Sequence, residues 1–253
     1  MESHGINPGT TSQEPDYRVG SAPIGGRQVT FLSVACRGKG MDPINVTADA
    51  TEFTCNAYLV PGDAPTLVDA GTMPGVDDVI ADALADAGVG ELDRVVLTHQ
   101  HGDHVGELDA VLDRFDSTLF AYADHPRRDV ALVDGDEILV GDEPCEVVYT
   151  PGHADDHVSL VGETRLYSGD VVVYNDGAFD DGSFGRTDMA GQSREELIES
   201  LHTLMNRLPE TVEAIYPGHG DVYRDGDGPD TVRDVIERAT ERAERREPKY
   251  PDQ

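Results

Sequence analysis

The densest chemistry in the sequence lies at Thr98-His99-Gln100-His101-Gly102-Asp103-His104, where three histidines and an aspartate fall within six residues of a 253-residue chain with only nine histidines. Imidazole nitrogens and carboxylate oxygens are the ligands that borderline divalent zinc accepts, at about 2.0–2.2 Å. The segment directly follows the apolar run Arg94-Val95-Val96-Leu97, which puts it at a strand end opening into a helix. Three later sites match in style. Thr150-Pro151-Gly152-His153 closes the run 145–150, Ser168-Gly169-Asp170 closes 165–169, and Tyr216-Pro217-Gly218-His219 closes 213–216. In each, a potential ligand stands where an apolar strand stops, beside a glycine that lets the backbone turn sharply. Four strand ends that each deliver His or Asp point to a metal centre rather than to a solvated polar loop.

Such ligands need a frame. Strand-like apolar runs occur at 29–36, 53–60, 66–69, 94–97, 117–121, 145–150, 157–161 and 165–169, with a short run at 212–216. Val76, Val79, Ile80, Ala83, Leu84 and Ala87 recur at helical spacing and stop at Gly88. A second helical pattern runs from Val105 to Phe115. A third is opened by Ser193, with Glu196 three residues on as a capping box, and reaches about Leu208. A charged helix is predicted from about Pro229 to Arg246. Residues 1–26, rich in Gly, Pro, Ser and charge, predict an irregular or mobile segment, and 27–253 predict a single domain ending in that charged helix. The mixture specifies an α/β chain without choosing its layout.

Composition sets the outer limits. Hydrophobic residues make up 38% and charged residues 27%, enough for a sizeable core and too apolar for a disordered chain. Fifty acidic residues against nineteen basic ones give a formal charge of −31, and the only lysines are Lys39 and Lys249. That surface repels phosphate backbones in ordinary buffer and repels itself. Molar salt shortens the screening length to about 3 Å, so the composition predicts a salt-in halophilic source. Cys36, Cys55 and Cys145 show no CxxC spacing and read as buried thiols. No apolar run approaches the roughly 18 residues of a membrane helix, and Met1-Glu2-Ser3-His4-Gly5 is unlike a signal peptide, so a cytoplasmic chain is expected.

The His-x-His-x-Asp-His motif at 99–104, followed in order by His153, Asp170 and His219, resembles the metallo-β-lactamase-fold superfamily over residues 29 to 222. The resemblance implies a four-layer αββα sandwich holding two divalent metal ions, zinc by default and iron as the alternative. One ion would be held by His99, His101 and His153, the other by Asp103, His104 and His219, with Asp170 bridging. Asp69, in Leu67-Val68-Asp69-Ala70-Gly71, matches the family's acidic residue behind the site and is expected to support the His loop. Two cations sharing a hydroxide lower its pKa and orient it, and they stabilise an oxyanion on the attacked carbonyl or phosphoryl. Asp103 would hold both metal and nucleophile and carry a proton to the leaving group.

Within GSFGRTDMAGQS, the segment Gly185-Arg186-Thr187-Asp188 resembles glyoxalase II-like hydrolases and the related persulfide dioxygenases. Arg186 is expected to pair with Asp188 and hold the loop, with capture of a substrate carboxylate as the alternative. Tyr174 and Tyr223 are candidates either for a phenol at the site mouth or for packing. Only 34 residues follow His219, so no counterpart of the helical domain with which glyoxalase II grips glutathione is expected. The expected activity is therefore hydrolysis of another small thioester or ester.

Three alternatives stand beside it. One is a persulfide dioxygenase using one iron on His99, His153 and Asp170. Another is an RNA-cleaving nuclease of the same fold, disfavoured because Arg127-Arg128 is an isolated pair and Arg245-Arg246 belongs to a mixed-charge helix. The third is a non-catalytic metal-binding scaffold, against which the complete ligand set speaks. The expected partner is a small-molecule substrate, with no membrane and a homodimer left open. His157, four residues after His153, is expected to be a packed or hydrogen-bonded histidine rather than a ligand.

Overall fold

The computed structural model describes residues 16–24, 27–35 and 41–247, with side chains over 41–247. Its contacts divide the chain into two units, 1–39 and 40–253. In the first, β1 (Asp16–Ile24) pairs antiparallel with β2 (Arg27–Ala35), Ile24 standing opposite Arg27. A strand occupies 16–24, where composition predicted an irregular or mobile segment. The Gly25-Gly26 dipeptide between the two runs is a hairpin signal that the Gly- and Pro-rich composition obscured. Residues 1–15 and Cys36 lie outside the described residues.

The second unit holds two six-stranded mixed sheets. The first sheet contains β3 (Ile44–Asn45), β4 (Tyr58–Val60), β5 (Thr66–Val68), β6 (Arg94–Val96), β7 (Thr118–Ala121) and β8 (Val130–Ala131), in that spatial order. From β5 to β8 its neighbours are parallel. The second contains β9 (Glu137–Val140), β10 (Glu143–Tyr149), β11 (Val158–Val161), β12 (Arg165–Gly169), β13 (Ala214–Pro217) and β14 (Tyr223–Arg224), in order from β14 to β9. Here β12 and β13 are parallel and the other pairs antiparallel.

Helices cover both outer faces. Against the first sheet, α1 (Val76–Asp86) and α3 (Leu108–Phe115) bury Ile80, Leu84, Val111 and Leu112 on Leu59, Leu67, Val95 and Leu119. Against the second, α4 (Arg194–Arg207) and α5 (Val232–Glu244) bury Leu197, Leu201, Val235 and Ile236 on Val148, Leu166 and Ile215. Between the sheets lie Tyr58, Val60, Val68, Val96, Val147, Leu160, Tyr167 and Tyr216. Adjacent strand residues therefore point into different cores, Val147 inward and Val148 outward, Tyr167 inward and Leu166 outward. Burial on both faces is why these strands read as continuous apolar runs. The result is the expected αββα sandwich.

Other elements also differ from expectation. The run 53–60 pairs only over Tyr58–Val60. The helix expected from Val105 to Phe115 is split into α2 (Gly102–Val105) and α3. At the break, the His104 carbonyl accepts from Ala70 N–H and Glu107 N–H donates to the Gly71 carbonyl, both at 2.9 Å, so this backbone bonds to the neighbouring turn instead. Strand β9, between Gly135 and Gly141, was not expected. Ser193 caps α4 by accepting from Glu196 N–H, and Thr231 opens α5 with a reciprocal capping box to Asp234. Cys55 and Cys145 are buried free thiols.

Candidate metal centre

Strand direction gathers the donors. Strands β5 and β6 run parallel in one sheet, while β10, β12 and β13 share a direction in the other, because β10 and β12 each pair antiparallel with β11. Asp69, His99, His153, Asp170 and His219 each follow the C-terminal end of one of these strands by no more than four residues. Open α/β sheets present their ligands at such ends. His101 caps α2, whose first turn presents Asp103 and His104.

All seven predicted ligands come together. His101 Nδ1 lies 3.0 Å from His99 Nε2 and 2.9 Å from His153 Nε2. His219 Nε2 lies 3.0 Å from Asp103 Oδ2. Asp170 sits between the two groups, Oδ2 being 3.3 Å from His153 Nε2 and 3.5 Å from His219 Nε2, with Oδ1 3.5 Å from His104 Nε2. His99, His104, His153 and Asp170 are buried; His101, Asp103 and His219 reach the cleft.

Tautomers follow from the outer partners. Asp69 accepts from Thr98 N–H and Thr98 O–H, each at 2.8 Å, and from His104 Nδ1–H at 2.9 Å. With its proton committed to Asp69, the Thr98 oxygen accepts from His99 Nδ1–H at 3.1 Å. The Arg186 carbonyl accepts from His153 Nδ1–H at 2.9 Å. When neutral, rings held this way present bare Nε2 lone pairs inward. His104 Nε2 and Asp170 Oδ1 are buried with no hydrogen-bond partner among the described residues. Converging lone pairs and orphaned acceptors lack a positive charge, and the donor set fits divalent cations.

Electrostatics agree. Burial holds the His99 pKa well below its usual value and lowers that of His153, where neighbouring His101 adds to the effect. Burial alone would lower His104, but Cys55, Asp69 and Asp170 raise it well above the ordinary value. Burial likewise opposes the shift at His219, which Asp170 and Asp103 raise. For Asp170, burial would raise the carboxyl, yet His219 and His104 hold it far below the usual range. Asp103, despite burial, is lowered by its bond to His219 and by His104.

Surrounding residues fix the donors. Asp69 takes a left-handed backbone, φ 59°, under the His loop where it was expected. His157 is no part of the cluster: its Nε2 accepts Asp170 N–H at 2.9 Å, its Nδ1–H meets Thr150 Oγ1 at 2.8 Å, and burial pushes its pKa down to about 3. A Cβ at Gly218 would overlap Asp170 Oδ1 and one at Gly185 would stand 2.6 Å from His153 Nδ1, so both positions exclude any side chain. Arg186 forms a two-point pair with Asp188, at 2.9 and 2.8 Å. Tyr174 and Tyr223 pack on each other with ring centroids 4.7 Å apart, Tyr223 in the core under α5. Sequence reasoning missed Asn56, whose side-chain amide donates to the carbonyls of Pro217 and Gly220 at 3.0 and 2.9 Å and ties down the turn bearing His219. The donors open into a cleft of about 570 Å³.

Residues 50–128 match the metallo-beta-lactamase superfamily model. The chain is 37% identical over 87 residues to a hydroxyacylglutathione hydrolase of Francisella philomiragia, a match spanning 32% of this chain and only 34% of that relative. It is 29% identical over 194 residues to the probable metallo-hydrolase YqgX of Bacillus subtilis, across 65% of this chain and 84% of the relative. The crystal structure of ETHE1 from Myxococcus xanthus superposes with a TM-score of 0.60 at 25% identity, covering 79% of this chain and 89% of that one. With its αββα sheets and its His/Asp cluster at their edge, the chain has the metallo-β-lactamase fold and resembles that superfamily over residues 50–128.

Proposed function

We propose that the chain is a metal-dependent hydrolase of small thioesters or esters. In this reading His99, His101 and His153 would hold one divalent ion and Asp103, His104 and His219 a second, with Asp170 between the two groups as a ligand they would share. Zinc is the default for such donors. The supporting observation is the convergence of seven donors with inward lone pairs and two orphaned acceptors. Bound ions would supply Lewis acidity and a water of lowered pKa. Asp103, kept ionised beside His219 at the cleft, is placed to take a proton from the attacking water and return it to the leaving group. Asp69 and the Arg186 carbonyl keep His104 and His153 in the tautomers that leave Nε2 free.

The named relatives support hydrolysis, and glutathione is not carried over from the partial match. Metal analysis by elemental mass spectrometry in high salt, followed by a thioester panel, tests the reading. Two zinc per chain with thioester turnover is expected; a folded chain that binds no metal overturns it. A second reading, a one-iron persulfide dioxygenase, draws on the Gly185–Asp188 segment and the similarity to ETHE1; one iron per chain with persulfide-dependent oxygen uptake would select it. For the nuclease alternative, Arg127 and Arg128 are already paired with Asp109, Asp113 and Asp124, and Arg245 and Arg246 with Glu241 and Glu195. The acidic surface we read as adaptation to high salt: dialysis into low salt should abolish the circular-dichroism signal, and full retention would refute it.

A further inference from the structure

We propose that Phe53 and Met189 bracket the reacting group, so that the substrate carries an apolar group on each side of its scissile bond. This rests on the hydrolase reading and adds the substrate's character. Phe53 is 77% exposed and Met189 56%, an unfavourable display for large apolar side chains, and both line the cleft.

Each lies in a segment tied to a different histidine of the donor cluster, and both line the cleft. The Phe53 ring stacks on His219, centroids 5.2 Å apart and planes 16° from parallel. Met189 belongs to the segment anchored on His153, through the Arg186 carbonyl at 2.9 Å and through Gly185 N–H to the Asp170 carbonyl at 2.6 Å. Asp170 lies between those two histidines.

Both apolar residues are held in place. Thr72 O–H donates to the Phe53 carbonyl at 2.9 Å, and Met189 N–H donates to Gln192 Oε1 at 3.0 Å. In the proposed arrangement a group reacting at the cluster has Phe53 on its His219 side and Met189 on its His153 side.

Alkyl or aryl groups seated against Phe53 and Met189 would cover both side chains and remove them from water.

The test is calorimetric binding, in high salt, of ketone isosteres R–CO–CH2–R′ to the metal-loaded protein, lengthening R and R′ independently from methyl. Affinity is expected to rise about twofold to fourfold per methylene on either side. Phe53→Ala should flatten the dependence on one substituent and Met189→Ala on the other, with Phe53→Leu and Met189→Leu retaining most of it. Equal losses at every chain length would overturn the inference. Length-dependent ketone binding without turnover of the matching thioesters would sink the hydrolase reading and leave the bracket standing. Turnover indifferent to chain length would do the reverse.

Discussion

His99, His101 and His153 offer imidazole alone, and two of them are backed by neutral groups, the Thr98 hydroxyl and the Arg186 carbonyl. Asp103, His104 and His219 mix imidazole with carboxylate, and His104 is backed by the Asp69 carboxylate at 2.9 Å. The same side chain thus acquires opposite character. Burial keeps His99 and His153 neutral, whereas acidic neighbours overcome burial and raise His104 and His219. What lies behind a ligand, more than the ligand itself, decides whether a cation meets an empty lone pair or must displace a proton.

The largest effect should come from the residue both halves share. Asp170→Ala is expected to lose both ions and cut turnover on the order of a thousandfold, the scale of removing a principal electrostatic contribution at a reacting centre; full metal content with unchanged turnover would break the assignment. Next, His101→Ala and Asp103→Ala should each release one ion and keep the other, read as stoichiometry on a folded chain. If either releases both, the halves are one unit. Asp69→Asn should weaken the ion in the His104 half by about tenfold to a hundredfold, with a smaller loss in the other half, measured by competition with a chelator. The mildest probe is pH. In the metal-free protein His104 and His219 bind protons more tightly than free histidine, so falling pH makes protons compete first in their half. His99 and His153, with lowered pKa values, release none on loading. Calorimetry in buffers of different ionisation enthalpy should show the larger proton release on loading the His104–His219 half, and equal release from both would erase the contrast.

The donors were legible because each is written locally: a histidine or aspartate beside a glycine where an apolar run ends. The layers were legible because burial on both faces makes Val147-Val148 and Leu166-Tyr167 uniformly apolar. Tertiary partners were not. Phe53 and Asn56 sit in a run that reads as strand, yet Phe53 lies over His219 and Asn56 bonds to carbonyls more than 160 residues away in sequence. Strands β3, β8 and β14, two residues each, are too short for any period to register. His157 was rightly kept out of the cluster, but only the fold reveals that it grips the backbone of Asp170.

One sheet supplies residues 99–104 of the centre and the other supplies His153, Asp170 and His219. A cation held between them would rivet the two sheets together at their common edge, and they could not slide apart without breaking ligand bonds. Its influence would fall on lifetime as well as on chemistry. Chelation should then shorten the survival of the folded chain against proteases and heat, by opening a faster route to unfolding, even where the resting architecture is unaltered.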